Sequence, residues 1–450
     1  MFVKCLGDKI KVPAYGRVTR REVYRAMWIS STEQKQWQQQ GEFADEKGIE
    51  ITVGAEKGKP LYGFGACFSE LGIKAISMLS EKKRKAVYDD FFGKDGCGFS
   101  FCRLPVGAND FAESWYSYNE VENDFAMEHF SIERDKKYLI PAIKEAQARC
   151  PELRLFASPW SPPTWMKFPR VYNYGNFVMT DENLRAYALY FKKYLEAYEA
   201  EGIHISQLHV QNEIFADQKF PSCVWSGEDL RKFIGEYLID AVGDKTEIWF
   251  GTINGPELGR LLLTTRHNGF LNLIMQDPKC AKHISGASYQ WAGKFGILQA
   301  EEDYPELNLI NSEVECGEGR NTWSYAMYSF EMYRHYFAHG ARACTYWSMA
   351  LDERKTSTWG WPQNSLINVI NGDVVYNPDY YMVKHFSHFV KRGAVMLETK
   401  GHFNTNTAVF KNPDGERVAV IMNPFDQNRT VTIEGKNYVL QPRSFNSIIL

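Results

Sequence analysis

From about residue 60 the chain alternates two textures. Short runs of β-branched, aromatic and aliphatic residues are followed by longer stretches in which apolar residues recur at helical spacing. Eight short runs stand out: Tyr62–Phe68, Phe99–Val106, Leu153–Pro159, Gln207–Gln211, Glu247–Ile253, Ile284–Gln290, Leu307–Ser312 and Ala343–Met349. Helical patterns follow most of them, over Glu81–Phe92, Lys136–Ala148, Asp181–Ala200, Glu228–Ala241, Pro256–Met275, Tyr325–Ala338 and Tyr380–Val390. The helix starts have local causes. Ser226-Gly-Glu-Asp229 is a variant capping box, and Ser80 and Thr180 offer side-chain oxygens to free amides. Asn377-Pro378 sets a cap before a proline at the first helical position, and Gly202 suits a left-handed stop. Eight such units between residues 59 and 393 predict an α/β fold, a closed (β/α)8 barrel. A doubly wound sheet is the competitor. It usually carries a glycine-rich phosphate turn after its first strand, and Gly63-Phe64-Gly65-Ala66-Cys67-Phe68 lacks the third glycine.

The two ends read differently. Residues 1–58 hold a basic segment, Arg17–Arg25, a polar stretch, Ser31–Lys47, and one strand-like segment, Ile49–Val53. Residues 394–450 show β alternation at Ala408–Phe410, Arg417–Met422, Arg429–Ile433, Tyr438–Leu440 and Ser447–Leu450, with a turn at Asn412-Pro-Asp-Gly415. They predict a β-sandwich beside the barrel, completed by strands from the N-terminal segment.

Composition narrows the function. The 450 residues carry a net charge of −3, which disfavours nucleic acid as a partner. No run of about 18 apolar residues exists, so no membrane span is expected. The nine cysteines are odd in number, widely spaced and without a CxxC pair, as in a reduced protein that holds no metal or redox cofactor. The start, MFVKCLGDKIKVP, lacks a signal-peptide apolar core, and a cytoplasmic location is the expectation. The unusual number is the 15% aromatic share, which serves either a large core or a ring-lined binding surface.

Chemistry in such barrels sits at the C-terminal ends of the strands. The fourth run ends in His209-Val-Gln-Asn-Glu213 and the seventh in Asn311-Ser-Glu313-Val-Glu315. Glu70, Arg103, Asp110 and Asp352 end others. Two glutamates across a barrel mouth suit glycoside hydrolysis, one protonated to donate and one ionised to attack. Strand parity does not separate Glu313 from Glu315. Trp160, Trp165, Trp291, Trp347, Trp359 and Trp361 also fall at or beyond strand ends, where rings would stack on sugar faces. Two rivals compete. A metal-dependent hydrolase needs histidine ligands, and His335/His339 and His385/His388 have ligand spacing but fall on outer helices. A non-catalytic sugar-binding barrel would not need both glutamates.

Together these motifs resemble glycoside hydrolase family 30, whose members include glucosylceramidases, β-1,6-glucanases, β-glucosidases and β-xylosidases. The resemblance runs from about residue 60 to the end. It rests on Gly63-Phe64-Gly65-Ala66 with Ser69-Glu70, on Arg103-Leu-Pro-Val-Gly-Ala-Asn-Asp110-Phe111, on Ala157-Ser-Pro-Trp160-Ser-Pro-Pro-Thr-Trp165-Met-Lys167, on Gln211-Asn212-Glu213 and on Ser312-Glu313 with Cys316-Gly317. The resemblance implies a retaining enzyme with Glu213 as general acid/base and Glu313 as nucleophile. Arg103 would orient a catalytic carboxylate, Asp110 and Asn212 would bind sugar hydroxyls, and Trp160, Gln290, Trp291 and Trp347 would line the substrate. The implied substrate is a β-glucosidic glycoside, with a β-xylosidase or β-fucosidase as the alternative. Two departures stand out: the sixth strand of many members ends His-Trp-Tyr, and the histidine and tyrosine positions are Gln290 and Ala292 here, which bears on substrate choice; and Glu315, two residues past Glu313, is a second candidate for the nucleophile.

Overall fold

The computed structural model describes residues 27–41, 43–255, 269–314 and 316–450. Eight parallel strands form the predicted closed barrel. They are β1 (Gly63–Cys67), β2 (Phe101–Val106), β3 (Arg154–Pro159), β4 (Gln207–His209), β5 (Glu247–Ile253), β6 (Ile284–Gln290), β7 (Asn308–Glu313) and β8 (Ala341–Ser348). Consecutive strands are neighbours, and β8 closes on β1 with Ala343 opposite Gly63. They are buried apart from the first residue of β3, β5 and β7 and the second of β6 and β8, which explains their near-continuous apolar sequence. The barrel floor is a layer of Tyr62, Phe101, Phe156, Trp249, Ile310 and Ala343. Phe101 and Phe156 stack at 5.1 Å, and the His209 ring lies parallel to Trp249 at 5.4 Å. Much of the aromatic content is therefore floor and core.

The helices Glu81–Phe92 and Asp181–Ala200 fall where the pattern places them, capped by Ser80 and Thr180. Ser226 also accepts the Asp229 amide. Three differences stand out. The expected helix Glu228–Ala241 begins as Gly227–Phe233, widens into a π turn over Ile234–Leu238 and ends at Val242. Asn377 sits at a helix N-cap, but its amide is spent on Ser365 O and Asn368 Oδ1 and makes no cap bond. Short helices at Glu70–Ser77, Pro278–His283 and Gly296–Asp303 are additional, too brief to show a period. Residues 256–268 of the expected helix Pro256–Met275 and the basic segment Arg17–Arg25 lie outside the described residues.

A nine-stranded sheet stands beside the barrel. Residues 395–449 supply six of its strands, and Trp28–Ser31, Gln38–Gln40 and Ile49–Lys57 supply the others. Trp28–Ser31 pairs with the last strand, Ser444–Ile449, and Ile49–Lys57 pairs with both Val395–Lys400 and Arg429–Ile433. The sheet folds over itself, so that Trp28 near one end meets Tyr438 at the other, 5.5 Å between ring centres. Ile51, Val409, Ile421, Val431 and Leu440 fill the space between the layers. The sheet is tied to the barrel by His385, whose ring bonds Ser447 Oγ and Ser31 Oγ at 2.8 Å each, and by Trp323 Nε1 donating to Arg443 O. No helix of the described residues is long and apolar enough to cross a membrane.

Candidate active site

Arg103 organises the upper barrel. It projects from β2, is fully buried, and donates in three directions. Nη1 bonds Glu313 Oε2 at 2.5 Å, and Nη2 bonds Asn212 Oδ1 at 2.6 Å. Nε and Nη2 share Ser158 Oγ at 3.1 and 2.8 Å. The guanidinium lies 4.4 Å from the Trp160 ring and 5.6 Å from Trp347. A buried cation without partners would be costly, and here one carboxylate and two neutral oxygens satisfy it.

Glu313 is the last residue of β7; Asn212 and Glu213 follow β4. Asn212 Oδ1 accepts not only from Arg103 but from Gln290 Nε2 at 2.8 Å and Thr252 Oγ1 at 3.0 Å. These donors fix the amide so that its NH2 points away from them. Glu213 has left-handed backbone, φ +48, uncommon for a side chain of its size. Its N–H donates to Thr252 Oγ1 at 3.3 Å, and its Oε1 accepts from Asn254 Nδ2 at 3.1 Å. Asn254 is oriented in turn by the Ala292 N–H at 3.3 Å. So Ala292 serves the site through its backbone.

The two carboxylates differ electrostatically. Burial raises the pKa of Glu213 well above the carboxylate range, the charges of Glu313 and Asp110 raise it further, and Arg103 and Asn254 oppose this. Burial also raises Glu313, but Arg103 touches that carboxylate and opposes the rise. Glu313 therefore loses its proton before Glu213. Burial pushes Asp110 up to about 6, with the nearby Trp359 and Trp160 side chains opposing the rise, and among the described residues its Oδ1 has no close hydrogen-bond partner.

The structure brings together Glu213, Glu313, Arg103, Asp110, Asn212 and Gln290, with Trp160 and Trp347 packed at 5.5 Å beside them. Phe111 and Phe220 complete the ring cluster, and Trp359 and Trp361 pack against it. It does not bring together everything expected there. Trp165 belongs to the main core, donating to Asn119 O and packing on Phe125 at 5.6 Å. Trp291 is half-buried against that core, at the start of a 3-10 turn. Glu70 opens a helix and holds Arg134 by two bonds of 2.8 Å. Asp352 pairs with Arg354 at the surface. Glu315 lies outside the described residues. A search for ionisable groups and rings passes over Ser158, Thr252 and Asn254. Their only signal was position, at or just past the ends of β3 and β5.

Among the described residues no group of three His, Cys, Asp or Glu side chains is placed to hold a metal. His335 bonds Lys294 O and His388 bonds Gly96 O. The eight described cysteines are buried and unbridged.

Residues 61–390 match the glycosyl hydrolase family 30 TIM-barrel domain and residues 393–448 match the family 30 beta sandwich domain. The chain belongs to glycoside hydrolase family 30. This family 30 chain is 28% identical to putative glucosylceramidase 3 of Caenorhabditis elegans, with 89% of the chain and 82% of the relative aligned. It is 26% identical to the lysosomal acid glucosylceramidase of Mus musculus, over 86% and 79%. It is 27% identical to an endo-1,6-beta-D-glucanase of Neurospora crassa, over 83% and 81%. A solved endo-beta1,6-glucanase superposes with a TM-score of 0.83 at 23% identity, covering 94% of this chain and 99% of that one, and shares the fold. The family 30 protein is a glycosidase acting on β-glycosides.

Proposed function

We propose that the protein is a retaining hydrolase of β-glucosidic linkages working by double displacement, with Glu313 as nucleophile and Glu213 as general acid/base. One observation carries this reading: Arg103 is in contact with Glu313, whereas among the described residues the Glu213 side chain receives only the neutral Asn254 amide. Glu313 is thereby the carboxylate kept ionised, and Glu213 the one kept protonated. In the first step a Glu313 oxygen forms a bond to the anomeric carbon as the glycosidic bond breaks, and Glu213 gives its proton to the departing oxygen. In the second, Glu213 removes a proton from water, whose oxygen displaces Glu313 and leaves Glu213 protonated again. The Asn212 NH2 is free to bond the sugar 2-hydroxyl, and Asp110 Oδ1, without a close partner among the described residues, can accept from another hydroxyl. The names of the relatives, glucosylceramidase and endo-1,6-beta-D-glucanase, support a glucosidic substrate.

A 2-deoxy-2-fluoro-β-glucoside with a good leaving group tests the reading. Peptide mapping should find the sugar on Glu313, and the first product of normal turnover should be the β anomer. A label on Glu315, no label, or an α-configured first product would overturn it. A panel of aryl β-glycosides of glucose, xylose, fucose and galactose should show glucose turned over best.

A further inference from the structure

A cavity of about 320 Å3 opens where the barrel meets the β-domain, and neither catalytic glutamate lines it. Three elements wall it. Lys294 comes from the 3-10 turn Trp291–Phe295 that follows β6. Tyr328, Glu331, Arg334 and His335 come from the helix Trp323–Ala338, at spacings of three and four that put them on one face. Thr405 and Asn406 come from the turn that precedes the β-domain strand Thr407–Lys411.

The cations of this cavity lack anions. Arg334 is half-buried and reaches only neutral oxygens, by two long bonds: Nε to Thr407 O at 3.5 Å and Nη2 to Asn404 Oδ1 at 3.4 Å. Asn404 Oδ1 already accepts from Thr399 Oγ1. Burial depresses the Arg334 pKa, and no neighbouring charge offsets the loss of water. Other arginines of the fold are better served. Arg103 and Arg134 hold carboxylates, and Arg342, also half-buried, makes three bonds of 2.7–2.8 Å to Pro60 O, Tyr62 Oη and Asn308 Oδ1. Among the described residues neither Arg334 nor Lys294 enters an ion pair, and Lys294 Nζ is near only the ring of its neighbour Phe295, at 5.9 Å. His335 reports the sign of the field. Burial lowers its pKa, its bond to Lys294 O opposes this, and the charges of His339, Arg334 and Lys294 lower it further. His335 is thus neutral near pH 7, and Glu331 is the one carboxylate on the wall, against two permanent cations.

We propose that this cavity binds a phosphorylated sugar, with the phosphate between Lys294 and Arg334 and the sugar hydroxyls on Glu331, Thr405 and Asn406. A guanidinium fork and an ammonium on separate walls suit an oxyanion with several acceptor oxygens. The carboxylate, hydroxyl and amide suit hydroxyls, and Tyr328 adds an aromatic wall. The volume lies at the lower end of small-molecule sites, which begin at about 300 Å3, so one sugar ring with its phosphate is the scale of ligand it admits. The site stands apart from Glu213 and Glu313 and does not rest on their assignment.

Titration calorimetry on the full chain at pH 7 tests it, with glucose 6-phosphate and inorganic phosphate as probes. Glucose 6-phosphate should bind about tenfold more tightly than inorganic phosphate, the gain of one or two added hydrogen bonds. Arg334→Met should weaken both probes about 10- to 100-fold, and Lys294→Met about fivefold or more. Glu331→Ala should tighten inorganic phosphate while narrowing its gap to the sugar phosphate, two effects of opposite sign from one change. Binding of neither probe at millimolar concentration, or affinities unmoved in a folded Lys294→Met protein, overturns the site. Equal affinities for the two probes would leave a bare-anion site and overturn the sugar phosphate. Binding lost in Glu213→Ala but kept in Arg334→Met would place the ligand in the catalytic mouth and overturn the proposal while leaving the catalytic reading intact.

Discussion

Replacing Arg103 by methionine should move the acid limb of the pH–rate profile upward. The guanidinium is buried and bonds Glu313 at 2.5 Å, so its removal leaves a carboxylate 5% exposed with no cation beside it. Breaking a buried ion pair in this way costs about 3–5 kcal/mol if the remaining charge persists. Glu313 has a cheaper course, which is to bind a proton. At about 1.4 kcal/mol per pKa unit, that penalty corresponds to a rise of about 2–4 units. The direction is fixed by what remains, since burial and Asp110 both favour the protonated form. A nucleophile must be ionised, so kcat/KM should begin its climb at higher pH. At a pH on the old acid limb the rate should fall by about 100-fold or more. The assay is kcat/KM against pH on an aryl β-glucoside, which reports the free enzyme. Arg103→Lys should shift the limb less: it keeps the charge but loses the fork that also reaches Ser158 and Asn212. A folded Arg103→Met protein whose acid limb has not moved would refute the assignment of that limb to Glu313.

Three further outcomes follow from the geometry. Glu213→Ala should cost little on substrates with a very acidic leaving group and about 10²–10⁴-fold on alkyl glucosides, and equal loss on both would contradict an acid role. Thr252→Val deletes a donor to Asn212 and the acceptor of the Glu213 N–H, and should lower kcat/KM about tenfold on a glucoside but less on its 2-deoxy analogue. Asp379 is buried, which pushes its pKa up to about 7, so between its unfolded pKa of about 4 and pH 7 the native state binds the extra proton and stability falls as pH rises. That one group contributes a loss of about 2 kcal/mol between pH 5 and 7. Asp379→Asn should therefore narrow the difference in melting temperature between those pH values, with an undiminished difference counting against it.

The barrel was legible because each parallel strand is covered on both sides. Ile248–Ile253 and Leu309–Ser312 read as uninterrupted buried runs, and their spacing alone counted the strands. The β-domain was legible only at its C-terminal strands. Trp28–Ser31 is four residues long and its partner lies at Phe445–Ile448, a pairing no local pattern discloses. Val395–Lys400 was overlooked because its outer half is polar. In the site, charged groups at strand ends were found, since few residue types occur there by accident of packing. The amides and hydroxyls that aim them were not: Thr252 and Asn254 matter through Asn212 and Glu213, which are about forty positions away. Trp165 shows the opposite case, a ring past a strand end that packs into the main core. A place beyond a strand end gives a side chain its height on the barrel but not its bearing.

One junction bears on how such a chain is assembled. Leu61 N–H donates to Ala394 O at 2.8 Å and Gly393 N–H to Leu61 O at 2.9 Å, so the peptide enters and leaves the barrel at a single point. Topologically the barrel is a guest inserted between two strands of a host, Ile49–Lys57 and Val395–Lys400, which pair directly with each other. A ribosome exposes the first host strands long before their partners exist. Until residue 395 emerges, Ile49–Lys57 has no strand to join, and Trp28–Ser31, paired with Gln38–Gln40 on one side, keeps its other edge open until Ser444–Ile449 follows. The same closeness of entry and exit makes the seam a natural place to cut the barrel loose or to splice another in.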